Sequence, residues 1–164
     1  MKTTHKDTAA PTVSTAHGTA VGTLASTVLD PPRHHPLRFL LAAAALAAAA
    51  AHLPVTGPHL QEAPYMGMAF ILLISTLLVL TTAALTYDNT AVYIATAVTC
   101  GLAITAYAAT RTLTFPQLGD DVGNWLEPLG VVSVSCETVA LASAVIVLRR
   151  TPGAPRVNGR SRDA

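Results

Sequence analysis

Glu137 is the single carboxylate inside a long apolar run, GVVSVSCETVALASAVIVL. An ionised side chain at mid-bilayer depth costs at least about 2.5 kcal/mol when it faces lipid. Glu137 is therefore expected to turn inward and to be either protonated or paired. Two kinds of chemistry fit such a group: carriage of a proton or binding of an ion, or hydrogen bonding as a neutral acid that holds helices together. Its expected partners are Ser133, Thr138, Ser75, Thr76 and Thr99, because the runs read as spans contain no Lys, Arg or His at that depth.

A second set of chemically capable residues is split between two polar stretches. HLPVTGPHLQE carries His52, His59 and Glu62, and QLGDDVG carries Asp120 and Asp121. These are residue types that bind zinc or copper, and the two stretches are expected on one face of the bilayer, where they could complete a metal site. A plainer account is available for each. A histidine at a helix C-terminus is favoured by the dipole, and an exposed His/Glu pair on one turn is ordinarily a solvated contact. Arg111 is expected to pair with Asp120 or Asp121, which contributes up to about 1 kcal/mol if exposed and more beneath a cap that excludes water. Cys100 and Cys136 fall near mid-span without a CxxC pattern and read as small buried hydrophobes.

The elements that must position these residues follow from composition. The chain has 164 residues, 51% hydrophobic and 12% charged, whereas about a quarter of an ordinary soluble domain is charged. Four runs are long and apolar enough to cross a hydrocarbon core of about 30 Å: residues 37–53, 66–86, 91–110 and 127–148. The expected fold is an all-α bundle of four transmembrane helices. Pro54 reads as the stop of the first helix after His52, and Pro58 as the start of a short interfacial turn. The first run is alanine-rich, which reads as the least hydrophobic of the four and as a flat face for close helix packing. A cleaved signal peptide is disfavoured there, because the segment before it is long and lacks a twin arginine. Tyr87-Asp88-Asn89-Thr90 reads as a tight turn that makes the second and third helices antiparallel neighbours. Ala97, Gly101 and Thr105 form a small-xxx-small row on the third.

The net charge of +1 says little as a total, whereas its placement says more. Lys2, Lys6, Arg33 and Arg38 precede the first span, and Arg149, Arg150, Arg156, Arg160 and Arg162 follow the last. The positive-inside rule and the even number of spans both place the two termini in the cytoplasm of a cell-membrane protein. The flanks, residues 1–36 and 149–164, have the composition of disordered tails, the second of them basic enough to lie against anionic lipid. Phe115, Pro116, Leu118, Val122 and Trp125 are too apolar for a hydrated loop and suggest a cap over the bundle.

In the stretches HLPVTGPHLQEAPYMG and LTFPQLGDDVGNWLEPLG, with the hydrophobic runs around them, the sequence resembles a group of small, uncharacterised four-span integral membrane proteins of actinobacteria. The resemblance covers roughly residues 37–148 and implies the fold, but no activity, cofactor or catalytic residue. No nucleophile elbow, phosphate-binding glycine loop or zinc-protease motif appears in the sequence. No cofactor, enzymatic activity or nucleic-acid partner is therefore expected. The lipid bilayer is the expected partner, with other membrane proteins or a second copy of the chain beside it. Three functional readings follow. The first is a non-enzymatic membrane component or accessory subunit, the second a small transport or proton-coupled protein centred on Glu137, and the third an outer-face metal binder.

Overall fold

The computed structural model describes residues 35–150. The expected tails lie outside the described residues, apart from residues 35, 36, 149 and 150 at their inner edges. Among the described residues the long elements are four helices: α1 (Leu37–Glu62), α2 (Pro64–Thr86), α3 (Thr90–Thr112) and α4 (Pro128–Arg150). A short 3-10 turn, Gly119–Asp121, lies between α3 and α4. All four helices are long and apolar enough to cross a membrane, and 23 residues extend about 34 Å at 1.5 Å each. Their outward faces are apolar too, with Leu72 70%, Val79 67% and Leu102 66% exposed. An outer surface of that kind is stable only against lipid.

The helices form a ring in chain order, in which α1 packs on α2 and α4, and α3 on α4 and α2. Alanine governs the tightest part. Ala44, Ala45, Ala48 and Ala49 of α1 meet Ile74 and Leu77 of α2, Cys100 of α3 and Ala140 of α4 in one buried cluster. Side chains this small let the helix axes approach closely, and in lipid the stabilisation comes from that contact and not from excluding water. Cys136 packs against the same cluster, and both cysteines are free thiols. By hydropathy α3, and not the alanine-rich α1, is the least apolar span.

One expectation about connections is corrected. The first helix does not stop at Pro54; α1 continues through Pro54 and Pro58 to Glu62. Each proline removes one backbone N–H, but helix-breaking residues are tolerated in membrane helices because packed neighbours and side chains compensate locally. Side chains of the same turns also bond the backbone, Thr56 Oγ1 donating to the His52 carbonyl at 2.8 Å and His59 Nδ1 lying 2.7 Å from the Val55 carbonyl, although the carbonyls that lose their helical donor to the prolines are those of Ala50 and Pro54. The loop expected between the first two spans shrinks to Ala63, whose N–H donates to the His59 carbonyl. So sharp a reversal brings α2 onto α1 at Gly67, where an added Cβ would lie 2.6 Å from Leu60 Cγ and 2.8 Å from its Cα. α2 and α3 are neighbours, as their short link requires, although α2 packs far more extensively on α1.

Candidate functional site

A cavity of about 270 Å³ opens among all four helices at the end of the bundle that carries Trp125. Its walls are apolar, formed by side chains such as Val55, Ala69, Leu73, Ala103 and Val134. Polar groups are confined to its floor and its rim.

The floor is a buried pair. His52 Nε2 lies 3.0 Å from Glu137 Oε1, and the residues are 8% and 1% exposed. Glu137 lies nine residues after Pro128, about 14 Å along α4. His52 lies ten residues before the end of α1, a comparable distance from the same end of the bundle. The continuation of α1 through its prolines thus puts His52 inside the membrane-spanning region and level with the acid. Glu137 turns inward as its environment demands, but its partner is a histidine and not a hydroxyl. Ser133, Thr138, Ser75 and Thr76 each return their hydroxyl to a carbonyl of their own helix. At 3.0 Å imidazole and carboxyl are within hydrogen-bond distance, and either can act as the donor. Among the described residues no donor reaches Glu137 Oε2, and Glu137 lines the cavity.

Phe70 of α2 positions both histidines. His52 stacks on its ring with centroids 5.2 Å apart, and His59 meets it edge-on at 5.0 Å. A carbonyl only accepts, so His59 Nδ1 donates to the Val55 oxygen.

The rim is held by Arg111, which is buried at the end of α3. Its Nη1 contacts Asp121 Oδ1 at 2.5 Å and the Asp121 carbonyl at 3.3 Å. Its guanidinium also lies 4.7 Å from the Tyr107 ring centroid. The segment between α3 and α4 folds over the bundle through these groups. Gly123 N–H donates to the Arg111 carbonyl, Tyr107 O–H to the Trp125 carbonyl and Tyr65 O–H to the Pro116 carbonyl. Leu118 is buried beneath it. Glu127 caps α4, accepting from Leu129 N–H at 3.1 Å and from Gly130 N–H. Gly130 has no room for a side chain, since a Cβ would lie 2.7 Å from Tyr107 Cε2.

The residues expected to form a metal site are dispersed. His52 faces Glu137, Asp121 is engaged by Arg111, and Glu62 and Asp120 are exposed. Among the described residues no three His, Cys, Asp or Glu side chains converge as a metal would require.

A second polar cluster, which sequence reasoning missed, closes the opposite end of the bundle. Asp88 is 0% exposed and accepts from Tyr93 O–H and, at 3.1 Å, from the His35 backbone N–H. Arg38 Nη1 lies 3.5 Å from the same carboxylate. The turn residue Asn89 caps α3, accepting from Val92 N–H.

Long apolar helices, a lipid-facing exterior and charged groups kept to the interior and the ends define a four-span integral membrane protein. Comparison with protein-family models, curated proteins and solved structures finds no match.

Proposed function

We propose that this is a non-enzymatic, proton-coupled protein of the cell membrane, with both termini cytoplasmic and the cavity open to the outside. The observation that carries the reading is the His52–Glu137 pair, buried across the α1–α4 interface and lying on the floor of a cavity. Ionisable residues inside membrane spans face the interior and recur on proton and ion pathways. A purely structural acid needs no cavity above it. The positive-inside rule supports the orientation, since Arg38, Arg149 and Arg150 lie at the helix ends on the Asp88 side of the bundle.

Infrared difference spectroscopy of the protein in lipid, between about pH 2.5 and pH 10, covers ordinary carboxyl and imidazole titration. The expected result is a carboxyl band that titrates in the native protein and is absent from Glu137→Gln. A native protein in which Glu137 keeps one protonation state throughout would overturn the reading.

A different observation favours a role as an accessory subunit or homo-oligomer. An added Cβ at Gly101 on α3 would meet nothing within 4 Å, so the row it forms with Ala97 and Thr105 has room for a further helix there. Loss of a recurring partner, or of a dimer, in mild detergent on Gly101→Leu is the expected outcome. An unchanged assembly would count against it.

A further inference from the structure

We propose that the cavity is a binding site for a small organic cation, an ammonium group on an apolar body, which takes the place of the proton on the His52–Glu137 pair. The inference rests on the proton-carrying reading of that pair and adds the class of ligand.

Charge accounting around the cavity selects the sign. Three carboxylates line it: Asp121, Glu127 and Glu137. Asp121 is neutralised by Arg111 at 2.5 Å, and Glu127 is spent on the first backbone amides of α4. Glu137 is left as the lining carboxylate that faces no permanent cation, with Oε2 turned to no donor among the described residues. The other titratable groups facing the cavity are His52 and His59 of α1 and Tyr107 of α3, and α2 contributes none. An anion would meet an uncompensated carboxylate at the floor. A cation would supply the missing counter-charge in a poorly solvated place, where an unpaired charge is most costly.

The walls select the body of the ligand. A bare metal cation needs several oxygen or nitrogen ligands, and no three such side chains converge among the described residues. Alanine, valine and leucine side chains instead offer dispersion contacts to carbon. The volume of 270 Å³ is that of about nine waters at roughly 30 Å³ each, which limits the ligand to a small molecule.

The exchange balances. In this exchange the pair, before the cation enters, holds one proton more than neutral His52 facing ionised Glu137. Entry of the cation beside Glu137 leaves that deprotonated pair, and the proton passes to water through the cavity mouth.

The test uses the full chain in detergent or lipid with benzyltrimethylammonium as probe. The neutral isostere neopentylbenzene, benzenesulfonate and sodium chloride serve as comparisons. The sole tryptophan, Trp125, reports occupancy because its ring packs on cavity-lining Tyr107 at 6.3 Å. Saturable binding of the ammonium probe with release of about one proton per molecule is expected, weakened at least about tenfold at lower pH. Glu137→Gln is expected to lose binding. Ala103→Leu, which fills the cavity and leaves the pair intact, is expected to weaken binding while the Glu137 infrared band still titrates. Equal binding of the neutral isostere, binding retained in Glu137→Gln, or no binding to a native protein whose Glu137 titrates would each overturn the proposal. The last result would leave the proton-carrying reading standing, whereas a Glu137 that never titrates would remove both.

Discussion

The two ends of this bundle each bury a carboxylate, and they treat it in opposite ways. Asp88 is surrounded by donors, from the Tyr93 hydroxyl, the His35 amide and the Arg38 guanidinium, in a packed environment. Leu41, Ala84, Val92, Ala144 and Val147 fill the space around Tyr93. Glu137 has a histidine on one oxygen and a cavity in front of it. A carboxylate surrounded by donors and a permanent cation acts as a clasp. A carboxylate with one oxygen on an imidazole and the other facing a cavity is open to a further partner. The same residue chemistry thus serves structure at one end and, on our reading, exchange at the other.

That contrast can be broken by mutation. The largest effect is expected from Asp88→Ala, which strands a buried tyrosine hydroxyl and the Arg38 charge. Unfolding in mild detergent should show a loss of about 3 kcal/mol or more. Glu137→Gln keeps a hydrogen-bonding group against His52 and should lose less than about 1.5 kcal/mol in the same assay. Equal losses would erase the distinction between clasp and site.

Gly130→Ala comes next. Its methyl group would collide with Tyr107 and Glu127, so a cost of about 1–3 kcal/mol is expected. The disturbance should also change Trp125 fluorescence, because Tyr107 bonds to the Trp125 carbonyl. An unshifted emission would mean that the rim is looser than described.

The smallest effect sharpens the account of α1. Pro54→Ala restores a backbone donor within a continuous helix, and stability should stay within about 1 kcal/mol of the native protein or rise. A large loss would indicate that the chain needs a break at that point.

Much of this architecture was legible in the residues themselves. Four apolar runs announced four helices, and Arg111 with two nearby acids announced an ion pair, which the structure assigns to Asp121. Glu137 had to turn inward on solvation grounds alone. Its partner was hidden by Pro54 and Pro58. In water those residues mark a helix end, but in a packed membrane helix they do not, so His52 was read as a loop residue although it lies within α1. The exclusion of histidine from the spans fails for the same reason. Asp88 was overlooked because a Tyr-Asp-Asn-Thr turn explains itself locally. Only the return of α1 beside it, bringing Arg38 and the His35 amide, makes it a buried centre. The signal within reach was the pairing of Arg38 at one helix start with an acid in the only short turn on the same side.

The central claim is that His52 and Glu137 touch inside the bundle, and a double-mutant cycle tests it directly. Unfolding free energies of the native protein, His52→Ala, Glu137→Ala and the double variant should reveal a coupling of about 0.5–3 kcal/mol, as contacting residues show. Strictly additive losses would contradict the pairing, and with it the site built upon it.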